Sequence, residues 1–305
     1  MSIQRVMFVG SKALGASVLN ALYSISPQSL VGVVTVDDTS DVRCELDQFR
    51  EFERRTGKPL RVLKKASELI SSISEHQPDL CIVVGWYWVL KPDLLNMVPY
   101  GWLGIHASLL PKHRGGAPLV WAVINGETKT GLSLFYFDEG MDTGDIVAQK
   151  EISIEFEDTI ADILAKAEIQ SLEIVKENYP LLLKGDAARQ NQDHRQATYV
   201  ALRQPSDGRI DWSQPAQTIY NFIRAQTHPY PGAFCFLDEK IIRIWSAKLF
   251  DYPYYGTCGQ VVMVEKDYVV VACGKGTGLR LLKVNEDGSN EQSASQVLKF
   301  GQRLK

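Results

Sequence analysis

The sequence predicts an α/β fold, a mostly parallel sheet with helices on both faces, followed by a smaller β-rich domain. Three observations carry this. Up to residue 183, short apolar runs alternate with amphipathic or charged segments of helical length, the pattern of βαβ units. Beyond residue 206, one helical segment precedes a series of short β-type runs. The 305 residues, at roughly 150 per domain, allow two cores.

The first strand, Val6–Val9, is wholly apolar, as suits a strand covered on both faces. After Gly10-Ser11, Leu14, Val18, Leu19 and Leu22 recur at helical spacing. Leu30–Val36 reads as a second buried strand, and the polar segment 37–43 leads into a charged helix around Leu46–Arg55. Leu60–Leu63 and Leu80–Val84 are further strands, with a helix near Ala66–Glu75 between them. Trp102–Ile105 follows, then a Gly/Pro-rich loop, a helix at Leu119–Ile124, an alternating run Leu132–Phe137 and a mostly helical stretch Thr159–Leu183. Residues 184–205 are polar, carry few large aliphatics and read as a connector. A helix at Thr218–Ala225 then precedes Ile241–Trp245, Gln260–Val264, Tyr268–Cys273 and Leu279–Val284, which suit a small barrel. The expected layout is therefore 1–183, a connector 184–205, and 206–305.

With 33 Lys and Arg against 36 Asp and Glu, the chain is near neutral, which argues against a coat for nucleic acid or anionic membrane. The first apolar run stops at Gly10, too soon for a signal peptide or a membrane span, and no later run is long enough to cross a bilayer. Cys44, Cys81, Cys235, Cys258 and Cys273 are scattered without a CxxC pair, so they read as packing residues of a cytoplasmic protein. The five histidines never adopt HExxH spacing, and no metal is expected.

In sheets of this kind the ligand crevice lies beyond the carboxyl ends of the strands. That rim gathers Gly10-Ser11-Lys12, Asp37-Asp38, Gly85–Trp88 and the loop after His106. Pro111, Gly115, Gly116 and Pro118 force irregular backbone in that loop. Asp138–Asp145 sets acidic residues among glycines past another strand. If both loops face the same rim, His106 and Asp142 converge, and such a pair can hold or relay protons. The same residues also suit a satisfied loop histidine and a turn aspartate. Other motifs fail: Gly10–Gly15 lacks both GxGxxG spacing and a Walker ending, and neither Ser108 nor Ser133 sits in GxSxG.

The run His106-Ala107-Ser108-Leu109-Leu110-Pro111, with Arg114-Gly115, Ala117-Pro118 and Asp142-Thr143-Gly144-Asp145-Ile146, resembles the formyltransferases that use 10-formyltetrahydrofolate. The resemblance extends to Asp207–Trp212, Asn221, Ile223-Arg224-Ala225 and Pro229–Phe234, nearly the whole chain. It implies a Rossmann-like formyltransferase domain followed by an OB-like barrel. It also implies that His106 stabilises the oxyanion formed when an amine attacks the formyl carbon, while Asp142 orients the reacting group and helps move its proton. By the same resemblance, the folate slot falls on Gly85, Trp86, Tyr87, Trp88, Leu90, Gly104, Ile105, Asp138, Glu139 and Gly140, with the aromatic rings as walls for a flat pteridine or as plain packing.

One position departs from the family. Two residues before the histidine the family carries an asparagine, and here the residue is Gly104. Three readings stand open: a backbone N–H or a water takes over that contact, the chain binds folate or nucleotide without catalysis, or the donor or acceptor differs. For the acceptor, the segment 37–43 holds three acids and one arginine, and residues 206–305 hold 12 Lys and Arg against 10 Asp and Glu. That is a weak footprint for a polyanion. The expected acceptor is accordingly the amine of a nucleotide-linked amino sugar, with Ser11, Lys12, Ser108 and Arg114 as substrate contacts. Methionyl-tRNA is the alternative, so tRNA is disfavoured as a partner; no membrane is expected, and a homodimer is allowed.

Overall fold

The computed structural model describes every residue except Met1, Val42, Arg43 and Tyr87. The Tyr87 expectation therefore lies outside the described residues. In chain order the elements are β1 (Val6–Gly10), α1 (Lys12–Ile25), β2 (Leu30–Val36), α2 (Leu46–Thr56), β3 (Leu60–Leu63), α3 (Glu68–His76), β4 (Leu80–Val84), α4 (Pro92–Leu95) and β5 (Trp102–His106). There follow β6 (Arg114–Gly115), α5 (Pro118–Ile124), β7 (Lys129–Tyr136), β8 (Ile146–Ser153), α6 (Ile160–Lys184) and β9 (Tyr199–Val200). The chain closes with α7 (Ala216–Arg224), β10 (Ala233–Leu237), β11 (Lys240–Leu249), β12 (Val261–Val264), β13 (Val269–Cys273), β14 (Thr277–Glu286), β15 (Gln292–Ser293) and α8 (Ala294–Val297).

Two compact units emerge, and each is discontinuous in sequence. The first comprises Met1–Gly115, Gly131–Ile152 and Lys166–Tyr199; the second comprises Gly116–Thr130, Ser153–Ala165 and Val200–Lys305. The sequence reading drew continuous segments instead, because the hydropathy of α5 or of the first turns of α6 carries no mark of which core they join.

The first unit holds a seven-stranded sheet ordered β3-β2-β1-β4-β5-β7-β8. The β1/β2, β1/β4, β2/β3 and β4/β5 pairs are parallel, and β5/β7 is antiparallel. Every residue of β1 is buried because helices cover both faces. Its side chains divide accordingly: Val6 and Phe8 join the core under α1 and α2, with Leu19 and Phe49, while Met7 and Val9 join the core on the other face, with Leu69 and Trp102. The strand order reverses between β1 and β4, and there the chain draws together. The Ser11 N–H donates to the Val84 carbonyl at 3.1 Å, and the Ser11 hydroxyl to the Gly85 carbonyl at 2.5 Å. A Cβ at Gly85, whose φ is +67°, would stand 2.4 Å from the Ser11 carbonyl oxygen.

The second unit holds an antiparallel β-rich sheet ordered β10-β11-β14-β13-β12, with β15 beside β14. Ile219 and Ile223 of α7 enter its core, with Val271, Leu279 and Leu281. The α/β architecture followed by a β-rich domain is thus as predicted. Besides the two-residue strands β6, β9 and β15, two strands were missed: β8, whose Gln149, Lys150 and Glu151 break the apolar signal of an edge strand, and β10, which hides behind Pro229-Tyr230-Pro231-Gly232.

No helix among the described residues is long and apolar enough to cross a membrane. All five cysteines are free. Burial pushes the Cys235 and Cys273 thiols up to about 12, which makes them inert packing groups.

The switch-point contact predicts that Gly85→Ala lowers the unfolding free energy by about 2 kcal/mol or more, from left-handed strain and the clash with Ser11. Urea denaturation measures this; an unchanged midpoint would show that the turn relaxes freely.

Candidate active site

His106 is the last residue of β5, buried at the end of the strand opposite Ser133 of β7. Its ring lies edge-on to Phe135. Nε2 is 2.8 Å from the His113 carbonyl oxygen, an acceptor only, so this nitrogen carries a hydrogen and donates. Nδ1 faces the Asp142 carboxylate, 3.6 Å from Oδ2. The two predicted residues, 36 positions apart in the chain, therefore meet at the carboxyl edge of the sheet. The gap is too long for a hydrogen bond, and it leaves Nδ1 and the carboxylate both directed at the space between them.

Asp142 has φ +53°, in the left-handed region that few non-glycine residues adopt. Oδ2 accepts the Gly115 N–H at 2.7 Å, so the Gly/Pro loop steadies the carboxylate. Asp138, by contrast, spends Oδ1 inside its own turn, accepting from the Gly140 N–H at 3.0 Å and the Thr143 hydroxyl at 2.5 Å. Asp138, Glu139 and Gly140 are exposed.

The remaining predicted residues fall into two groups. Gly85, Trp86, Trp88 and Leu90 follow the end of β4, and Gly104 and Ile105 lie within β5, just before His106. The Trp86 and Trp88 rings meet edge to face at 5.1 Å, and both pack with Leu90 against the core that contains Trp102. The expected substrate contacts are instead engaged within the chain. Ser11 bonds to Gly85, and the Ser108 hydroxyl donates to the Lys112 carbonyl at 2.5 Å. Lys12 reaches Asp38 and, at 2.9 Å, Asp41. Burial alone would depress its ammonium, but these carboxylates raise it. Arg114 is only 1% exposed; its guanidinium bonds to Gln192, Tyr199 and His194.

Gly104 has a physical counterpart. A Cβ there would stand 2.4 Å and 2.8 Å from the ring carbons of Phe137, so this ring fills the space beside Gly104. Residue types alone could not reveal the pairing, because Phe137 lies on the far side of an intervening loop and helix. Arg189, Asn191 and Gln192 were also missed. They lie in the polar stretch read as a connector, yet Arg189 bonds to Asp145 at 2.7 Å, Asn191 bonds to the same carboxylate, and Gln192 bonds to the backbone of Asp142 and Gly144. The Arg189 hydrogen bond, against a smaller opposing effect of burial and with help from Asn191, holds the Asp145 carboxyl below its usual value. No group of three or more His, Cys, Asp or Glu among the described residues is placed to hold a metal ion.

Known proteins agree with this layout. Residues 4–177 match the family model described as formyl transferase, and residues 203–301 match the formyl transferase C-terminal domain. The methionyl-tRNA formyltransferase of Caldanaerobacter subterraneus subsp. tengcongensis is 31% identical over 302 residues, covering 96% of each chain. That of Geobacillus thermodenitrificans is 36% identical over 238 residues, 78% of this chain and 74% of its own. Among solved structures, WlaRD, a sugar 3N-formyl transferase crystallised with dTDP and 5-N-formyl-THF, superposes with a TM-score of 0.67 at 16% identity, covering 95% of this chain and all of WlaRD. The chain belongs to the formyl transferase family and is an enzyme of that family.

These relatives overturn the expected amino-sugar acceptor and the view that tRNA is a disfavoured partner. Proteins 31% identical over nearly their whole length, and one 36% identical over 74% of its own, are methionyl-tRNA formyltransferases, whereas the sugar enzyme shares the fold. The charge argument failed because the net charge of a domain says nothing about where its charges stand. In the second unit Arg209, Arg303 and Lys305 gather around one cavity of about 670 Å³, with Asp211 as the acid among them.

Two outcomes follow. Gly104→Asn should cost about 1–3 kcal/mol, since the Phe137 ring must move, and Phe137→Leu in the same chain should recover part of it; thermal denaturation of the two variants and the wild type checks this, and an equally stable Gly104→Asn protein would refute the packing. For Asp145, a carboxyl lowered by folding contributes stability above its ordinary value near pH 4, lost as pH falls through the lower folded value. Arg189→Ala should therefore destabilise the protein at pH 6, with the difference from wild type shrinking toward pH 3; a difference independent of pH would rule out this ion pair as its source.

Proposed function

We propose that this chain transfers the formyl group of 10-formyltetrahydrofolate to the α-amino group of methionyl-tRNA. The observation that carries the chemistry is the approach of His106 Nδ1 to the Asp142 carboxylate. The acceptor is supported by the near-full-length relatives.

The amine nitrogen attacks the formyl carbon, the C–N10 bond of the folate breaks, and one proton passes from the amine to N10. His106 meets both demands of this step through Nδ1, because Nε2 is committed to the His113 carbonyl. In the neutral ring Nδ1 is a base for the amine proton; in the protonated ring it is a donor to the tetrahedral oxyanion. Asp142 orients the amine for attack. A side-chain amide at position 104 takes no part. The folate lies along Gly85, Trp86, Trp88, Leu90, Gly104, Ile105 and the Asp138–Gly140 turn, which a flat ring bordered by backbone groups suits. Arg209, Arg303 and Lys305 give the second unit a local basic surface for tRNA phosphates. Unpaired cysteines support a cytoplasmic setting.

The test is incubation of the purified protein with 10-formyltetrahydrofolate and methionyl-tRNA, followed by hydrolysis of the ester and assay of N-formylmethionine. Formylmethionine should appear, and His106→Ala and Asp142→Ala should each cut kcat about 100-fold or more with the fold intact. Absence of formylmethionine from an active, folate-consuming preparation would overturn the acceptor; near-normal turnover in either variant would overturn the assigned roles.

A further inference from the structure

The polar stretch after α6 is laid along the loop that bears Asp142. Arg189 and Asn191 hold the Asp145 carboxylate, and the Gln190 and Ile146 backbones exchange two hydrogen bonds of 2.8 Å. Gln192 completes the series. Its amide nitrogen donates to the Asp142 carbonyl at 2.9 Å and to the Gly144 carbonyl at 2.7 Å.

The orientation of that amide is enforced. Gln192 is 6% exposed, and its Oε1 accepts from Arg114 Nε at 3.2 Å and Nη2 at 2.6 Å. Arg114 is itself fixed by the Tyr199 hydroxyl at 3.1 Å and by His194 Nδ1 at 2.9 Å. A guanidinium only donates, so the oxygen end of the amide must face Arg114 and the NH₂ end must face the loop. The residue gripped in this way is left-handed and non-glycine, a conformation that persists only where its surroundings hold it. Its carboxylate is held in turn by the N–H of Gly115, the neighbour of Arg114.

We propose that Gln192, oriented by the buried Arg114, is a positioning residue: it holds the backbone of Asp142 so that the carboxylate stands beside His106 Nδ1. This rests on the formyl transfer proposed above, and it makes the presumed connector a part of the active site. Gln192 touches no reacting atom in this scheme; it acts through Asp142.

Gln192→Glu separates this role from plain stability. The new carboxylate still accepts from Arg114, so Gln192→Glu should keep the fold and melt above Gln192→Ala, which abandons Arg114 as well. The glutamate can donate to neither carbonyl. It should therefore lower kcat for formyl transfer about 100-fold, the cost of misplacing a catalytic group by about 1 Å, with KM for folate and acceptor near wild type. Amide hydrogen exchange should quicken at residues 142–146 in the glutamate variant while exchange elsewhere is unchanged. A Gln192→Glu protein with wild-type kcat and wild-type exchange in this loop would overturn the inference, as would a raised KM at unchanged kcat. If the wild-type protein formylates no methionyl-tRNA, the proposed function fails by itself, and the exchange measurement still decides whether Gln192 holds the loop.

Discussion

The arrangement of the candidate site depends on keeping Asp142 beside His106, and that depends on finding hydrogen-bond partners for irregular backbone. A strand end at the edge of a parallel sheet offers a histidine an exposed rim, but the loops that meet there have no ladder to satisfy them. In this protein the loop after β7 is satisfied by side chains. Gln192 takes the carbonyls of Asp142 and Gly144, Arg189 and Asn191 take the Asp145 carboxylate, and the Gly115 N–H takes the Asp142 carboxylate. Each bond is modest in net terms, and for the carbonyl of the buried Gly144 going unpaired is the costlier alternative.

The same economy governs the opposite wall. Where the family pattern has an asparagine before the catalytic histidine, the chain has Gly104, and the Phe137 ring occupies the adjoining space. An aromatic ring supplies packing and excludes water but donates no hydrogen bond. In the proposed reaction the side chain at position 104 offers no donor, which leaves His106 and backbone groups at the rim to meet a developing oxyanion. Because Nε2 is spent on the His113 carbonyl, a single imidazole nitrogen faces Asp142.

Total charge and the placement of charge are separate properties of this chain. The near-neutral sum over the second domain hid a local gathering of Arg209, Arg303 and Lys305, and the basic residues singled out at the first-unit rim are tied up internally. Arg114 illustrates the point. Its motif position suggested a phosphate ligand, yet a guanidinium that is 1% exposed and holds three partners serves the loop around it.

By itself the sequence determined the α/β order, the strands β1 to β5, the β-rich second domain and the candidacy of His106 and Asp142, because period, burial and turn residues are local signals. It also marked Gly104 as a departure. Only the tertiary structure decided that Phe137 fills the space beside that glycine, that the 189–192 segment scaffolds the Asp142 loop, and that the compact units interleave along the chain. Those facts are pairings between residues distant in sequence and built from ordinary polar or aromatic groups. Their meaning comes from the partner across the gap, and no spacing rule along the chain encodes it.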